Sequence, residues 1–150
     1  MTTANTEAPA APPRHFWPVV AVALIWNAYG VYDYLMSRLQ GDAYLRGQGA
    51  TAAQLAYFHA MPVWMGLVWA IGVWGGLFGA VLLLIRSRHA WKLFAASLAA
   101  FLVSVLYAFG LSGAGAAMGG KAVAMDAVIA AAGVAFIWYS RAMAKAGVLR

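Results

Sequence analysis

Long apolar runs separated by short polar connections dominate the chain, and this pattern predicts four membrane-spanning helices. A helix needs about 20 mostly apolar residues to cross a hydrocarbon core roughly 30 Å thick. Runs of sufficient length occur at about residues 16–36, 62–85, 90–111 and 122–143. They lack the alternation of apolar and polar residues that is typical of outer-membrane barrel strands. The sequence therefore predicts an all-α fold, an integral membrane four-helix bundle over residues 15–145.

The two chain ends are predicted to be tails. Residues 1–14 are rich in Ala, Pro and Thr and show no periodicity, which is typical of a disordered segment. Residues 146–150 follow the fourth predicted span directly and form a short second tail.

The connection between the first two spans contains a predicted helix of its own. Thr51 and Gln54 have the spacing of a capping box, and Leu55 and Phe58 then fall along one side of a helix. We expect a short amphipathic helix in this first outer loop, lying at the membrane surface. Pro62 is expected to kink its junction with the second span, because the proline ring removes a backbone donor.

Composition narrows the class of protein. Of 150 residues, 65% are apolar and only 9% are charged, whereas a soluble domain carries roughly 25% charged residues. This excludes soluble enzymes and nucleic-acid-binding proteins and leaves the lipid bilayer as the surrounding medium. The chain has no cysteine, which excludes disulfide scaffolds and thiolate metal sites.

The basic residues predict an orientation. Seven of the ten lie at one end of the predicted bundle: Arg14, Arg86, Arg88, Lys92, Arg141, Lys145 and Arg150. The positive-inside rule places this end, with both termini, in the cytoplasm. The net charge of +6 reflects this bias and does not indicate nucleic-acid binding.

Small residues spaced by four predict the packing faces, because they let helix backbones approach closely in lipid. The second span carries two overlapping pairs, Gly72 with Gly76 and Gly75 with Gly79. The fourth span carries Ala127 with Ala131 and Ala130 with Val134, and Gly133 lies close by. We expect these faces to lie in the bundle interior, although the same motifs could also form a homo-oligomer.

Two acidic residues lie within the predicted spans, each about one turn from the outer end. They are Asp33 and Asp126. A carboxylate at membrane depth is costly unless it is paired or hydrated. One hypothesis is that both line a cavity open to the outside. The other is that each is satisfied locally, Asp33 by Arg38 or a tyrosine and Asp126 by Lys121.

Further polar groups predict a candidate outer cluster around these acids, which comprises Asn27, Tyr29, Asp33, His59, Tyr107 and Asp126. Asn27 lies near mid-membrane, where its amide is expected to find a partner on another helix, with Ser104 or Tyr107 as candidates. His59 and several methionines on the outer side could suit Cu(I), but methionine also fills gaps in cores. We therefore predict no metal and no cofactor. No catalytic signature is present, so no catalytic residue is predicted.

The sequence also resembles a family of small, functionally uncharacterised four-helix bacterial inner-membrane proteins. The resemblance is carried by LIWNAYGVYDYLM at residues 24–36, by residues 54–58, 62–64 and 69–76, and by residues 139–150. Some members are labelled "sugar transporter", a label that implies no mechanism for particular residues. The Gly- and Ala-rich residues 110–120 depart from the family pattern. The resemblance implies a bacterial inner-membrane location.

Two functions are expected from these observations. The first is a non-enzymatic accessory or scaffold subunit of a larger membrane complex. The second is a small homodimeric transporter in which Asp33 and Asp126 handle substrate or protons.

Overall fold

A computed structural model describes residues 10–150, apart from the side chains of residues 116 and 117. The first nine residues of the predicted disordered tail lie outside this part. Every regular element in it is helical: α1 (Phe16–Leu39), α2 (Asp42–Gly47), α3 (Ala52–Ala60), α4 (Val63–Leu84), α5 (Ala90–Leu106), a π-helical turn (Tyr107–Leu111) and α6 (Gly115–Lys145).

The predicted all-helical membrane bundle is confirmed. Four helical segments are long and apolar enough to cross a membrane: Phe16–Leu39, Val63–Leu84, Ala90–Leu111 and Met118–Lys145. The π-helical turn continues α5, so the two together make the third span. The spans agree with the predicted ranges to within a few residues at each end.

The spans pack in the order α1, α4, α5, α6, with α4 between α1 and α5 and with α6 against α5. We call the end of the bundle formed by residues 10–16, 85–90 and 146–150 the terminal end. We call the opposite end, formed by residues 40–62 and 107–115, the loop end.

The glycines of α4 lie where this helix meets its neighbours. Gly76 and Gly79 are buried. A Cβ atom on Gly76 would collide with the side-chain amide of Asn27 from α1, and one on Gly79 would lie 2.9 Å from the ring of Phe94 in α5. The missing side chains therefore let α1 and α5 approach the α4 backbone.

A hydrogen bond joins α4 to α5 within the same contact. The Ser97 hydroxyl donates to the Gly72 carbonyl at 2.5 Å. It crosses between two helices in a region without competing water, so it adds a directional contact to close packing.

The small-residue face predicted for the fourth span differs from expectation. Ala127 and Ala131 are exposed, whereas the nearby Gly133 packs against Leu98 of α5. In its most apolar window, 6% of the α6 span is buried, against 17–22% for the other three spans. α6 lies at one edge of the packing order and meets α5 along one side.

The buried core is concentrated at the terminal end. Its largest members come from α1, α4 and α5, and the short C-terminal tail adds two more; they are Phe16, Val20, Leu83, Phe94, Val148 and Leu149. Phe94 also stacks on Phe136 of α6, with ring centroids 5.3 Å apart. This cluster holds the ends of all four spans together.

The C-terminal tail is attached to the bundle by Arg86. The Arg86 side chain donates to the carbonyls of Val148 at 3.0 Å and of Ala10 at 2.7 Å. Backbone hydrogen bonds also join Arg150 to Arg86 and to Arg88. Arg86 has a positive φ of 60°, which costs a non-glycine residue roughly 1–2 kcal/mol, and these hydrogen bonds offset that cost.

The loop end is built around α3. The predicted capping box is confirmed, because the Gln54 backbone N–H donates to the Thr51 hydroxyl and the Thr51 N–H donates to the Gln54 side chain. Met61 and Pro62 are both extended, so α3 and α4 are separated by a break rather than by a kink.

α6 begins with an interruption close to α3. Gly119 has φ 72° and ψ 165°, a conformation that side-chain-bearing residues rarely adopt. Beside this break the Gln54 side chain donates to the Met118 carbonyl at 3.0 Å. α3 is thereby tied to the start of the fourth span.

Two alanine substitutions on α4 test its close packing. We expect Gly76→Ala to lower the free energy of unfolding by about 1–3 kcal/mol, because the new methyl group displaces Asn27. Gly72→Ala is the matched control; its Cβ would meet ordinary contacts of 3.8 Å or more, and alanine favours a helix by about 1 kcal/mol over glycine. Denaturant unfolding in mild detergent measures both.

Adding Asn27→Ala to the Gly76→Ala protein should recover part of the loss, because it removes the colliding amide. An equal loss in the two single-glycine variants would contradict this account of the packing.

Candidate functional site

Helix α3 lies across the loop end, and three consecutive residues of α3 contact three different parts of the chain. The Tyr57 ring lies 6.4 Å from that of Tyr107 in the π-helical turn. The Phe58 ring lies 6.4 Å from that of Trp69 in α4. The His59 Nε2 lies 2.7 Å from a carboxylate oxygen of Asp42 in α2. α3 therefore joins the elements that surround it.

Aromatic rings extend these contacts down into the spans. Trp69 meets the Tyr34 ring of α1 edge to face at 4.9 Å. Trp64, near the start of α4, meets Tyr107 in the same manner at 5.5 Å. Edge-to-face pairs of this kind contribute roughly 0.5–1.5 kcal/mol beyond the area they bury. The loop end is thus held largely by contacts between aromatic rings, whereas the terminal end has a buried core of both aliphatic and aromatic side chains.

Asp33 is satisfied by a tyrosine. The Tyr44 hydroxyl, from α2, donates to Asp33 at 2.9 Å, and the Gln48 side chain donates to the Tyr44 oxygen at 2.8 Å. Helix α2 was not predicted from sequence, and it supplies this partner.

Arg38, the other candidate partner of Asp33, lies elsewhere. Its guanidinium is 5.6 Å from the centre of the Tyr34 ring and packs against the backbone of Gly66 in α4. A glycine at position 66 leaves the space that the guanidinium occupies. Arg38 thus makes a cation–π contact instead of an ion pair with Asp33.

Asp126 lies on α6 and is half-buried. Its carboxylate is close enough to Tyr57 to affect the titration of that phenol. No ion pair between Asp126 and Lys121 is present among residues 10–150. The local partner that was considered for Asp126 is therefore not observed.

Two tyrosines outside the spans have altered acidities. Burial raises the pKa of Tyr57, and the neighbouring Tyr107 and the Asp126 charge raise it further. Partial burial also raises the pKa of Tyr44; Asp33 adds to this increase, while the hydrogen bond from Gln48 opposes it. Both phenols therefore stay protonated to a higher pH than a free tyrosine.

The hydrogen-bond partner of Asn27 differs from the predicted one, which was on another helix. Its side-chain N–H donates to the Ala23 carbonyl of its own helix at 2.7 Å, and its oxygen packs against Gly76. Ser104 donates to the Ala100 carbonyl within α5. The hydroxyl that does cross between helices belongs to Ser97, the other serine of α5, which was not among the predicted partners.

The predicted outer cluster is divided into separate groups. Asp33 pairs with Tyr44, and His59 pairs with Asp42. Tyr107 and Asp126 each lie near Tyr57, which was not a member of the predicted cluster. Tyr29 is 60% exposed on α1, and Asn27 belongs to the α1–α4 contact.

The Asp42 carboxylate links two short helices. Besides His59 it lies 3.6 Å from Arg46, one turn further along α2. Within residues 10–150 no group of three or more His, Cys, Asp or Glu side chains could hold a metal ion. The arrangement fastens α2 to α3.

Comparison of the chain with known protein families, with curated protein sequences and with solved structures finds no match.

Alkaline titration tests the environment of Tyr57. Because the pKa of Tyr57 is raised in the folded protein, the folded state binds more protons than the unfolded state above pH about 10. Stability due to Tyr57 is therefore complete below that pH and is lost as pH rises through the folded-state value. The difference between the ultraviolet titrations of wild type and Tyr57→Phe should have its midpoint above 10.

The same difference titration in an Asp126→Asn background should shift to lower pH, because one source of the increase has been removed. A midpoint at or below 10 in the wild-type background would show that Tyr57 is not buried as described.

Proposed function

We propose that this chain is a non-enzymatic subunit of the bacterial inner membrane that acts as an accessory or scaffold in a larger membrane complex. The observation that carries the proposal is the exposure of α6, of which 6% is buried in its most apolar window. A span that packs along one side on α5 retains a wide surface for a helix of another protein.

The exposed surface has the composition that helix association in lipid needs. Ala124, Ala127, Val128 and Ala131 are all exposed and recur along one side of α6. We call these four residues the docking face. Small side chains let the backbone of a partner helix come close. Dispersion contacts then drive the association, because the hydrophobic effect does not favour helix association within lipid.

The polar groups at the loop end support a structural role. Asp33 is bonded to Tyr44, and Asp42 is bonded to His59 and Arg46. These groups are used within the chain to hold α2 and α3 in place.

The location and orientation belong to the same proposal. The seven basic residues of the sequence analysis lie on segments at or near the terminal end. The positive-inside rule then places that end, with both termini, in the cytoplasm. The resemblance to bacterial inner-membrane proteins supports the same membrane.

Co-purification with a matched control tests the docking face. We expect Ala131→Leu to reduce recovery of a co-purifying membrane protein about fivefold or more, because added side-chain volume at a close helix contact costs roughly 1–3 kcal/mol. Ala99→Leu, at an exposed alanine of α5, is the control and should leave recovery unchanged. Quantitative mass spectrometry after purification in mild detergent gives the measurement.

A partner-free monomer from the wild-type chain would contradict the proposal. A second copy of the chain as the recovered partner would instead favour the alternative below.

The alternative is a small homodimeric transporter, and Asp126 is the observation that favours it. This half-buried carboxylate lies on a span beside Tyr57 without an ion pair in the described part of the chain. Buried acids in spans commonly handle ions or substrates.

Transport assays test the alternative directly. If the chain is a transporter, Asp126→Asn should lower uptake or efflux at least about tenfold, and Asp33→Asn should also lower it. Asp42→Asn is the control for structural damage, because it weakens the contact of α2 with α3 and leaves both span carboxylates in place. Unchanged flux in both span variants across a substrate panel would remove this alternative.

A further inference from the structure

Two grooves flank Trp138 on the surface of α6. One, of about 370 Å³, lies between α1 and α6 and is lined by apolar surface, including Val19, Val22 and Phe136. The other, of about 600 Å³, is lined by Val134, Ile137, Trp138, Arg141, Ala142 and Lys145. The Trp138 side chain forms the wall that the two grooves share.

The lining of the second groove changes from apolar to cationic along its length. Its deeper part is lined by Val134 and Ile137, and its outer part by Arg141 and Lys145. Eleven residues of helix separate Val134 from Lys145, which corresponds to roughly 16 Å along the axis. The second groove therefore extends from apolar residues in the membrane interior to two cationic side chains at the terminal end.

The cations are held without a neighbouring carboxylate side chain. The Arg141 guanidinium lies 5.2 Å from the centre of the Trp91 ring of α5, which fixes it beside the groove. The acidic side chains of residues 10–150 are Asp33, Asp42 and Asp126, all on the loop-end half of the molecule. The groove thus has a net positive charge that an anion would complement.

Trp138 has the position of a membrane-interface anchor. It is 71% exposed and lies two turns before the end of α6. Exposed tryptophans at this depth sit at the level of lipid headgroups. The combination of a surface tryptophan, two apolar grooves and two cations matches the parts of a phospholipid.

We propose that this surface binds one phospholipid with an anionic headgroup. Its phosphate lies between Arg141 and Lys145, and its two acyl chains occupy the grooves on either side of Trp138. The docking face lies further toward the loop end of α6, beyond Val134, the deepest lining residue of the second groove.

Lipid titration monitored by native mass spectrometry tests the proposal on the full chain in detergent. Wild type should bind one phosphatidylglycerol more tightly than phosphatidylcholine. The double variant Arg141→Gln/Lys145→Gln should bind phosphatidylglycerol about thirtyfold more weakly, since each cation near an anionic lipid contributes on the order of fivefold. Its affinity for phosphatidylcholine should not change.

The control is Arg88→Gln/Lys92→Gln, which removes the same charge at the same end of the molecule but away from the groove. Trp138→Ala should weaken both lipids equally, because it removes acyl-chain contacts. Circular dichroism and gel filtration confirm that each variant is folded before titration.

Three outcomes would overturn the proposal. They are equal wild-type affinities for the two lipids, an equal loss in the control variant, and binding of glycerol phosphate as tight as that of the whole lipid. The last outcome would assign the cations to a soluble phosphate compound.

Discussion

The close approach of α4 to α1 and α5 is the constraint on which the rest of the fold depends. In lipid, apolar side chains gain nothing by leaving their surroundings, so helices associate only where their backbones can come near each other. Gly76 and Gly79 provide that proximity, and the Ser97 hydroxyl fixes it with a hydrogen bond to Gly72. α4 packs between α1 and α5, and α6 packs on α5. The contact of α4 with α5 therefore also sets the position of α6 in the bundle.

The two ends of the bundle are held by different forces. At the terminal end, Phe16, Leu83 and Phe94 form an aliphatic and aromatic core, and Arg86 fastens the C-terminal tail to it. At the loop end, α3 crosses between spans and is held by ring contacts and by the pairing of His59 with Asp42. α3 is in this position because two extended residues separate it from α4.

The edge position of α6 links the fold to both proposals. A span that packs mainly on α5 has a broad uncovered surface, and the composition of that surface changes with depth. Small residues occur in its middle, where a helix backbone could approach, whereas Trp138, Arg141 and Lys145 occur near the membrane surface. One surface accordingly suits a protein helix and the other suits a lipid headgroup with its chains.

The sequence by itself determined the four spans and the cap of α3. Span length follows from bilayer thickness, and the capping box of Thr51 and Gln54 involves residues three apart, so neither depends on the rest of the chain.

Tertiary structure decided which groups meet. Tyr44 reaches Asp33 only because α2 folds back, and Arg86 reaches Val148 only because the ends of α4 and α6 lie together. The tertiary structure also decided that Ala127 and Ala131 are exposed. Small residues have the same spacing on α4, where Gly76 and Gly79 are buried, and on α6, where no helix of residues 10–150 covers the two alanines. The spacing of residues along a helix shows which face is suited to packing. The packing order of the four spans determines whether another helix lies against that face.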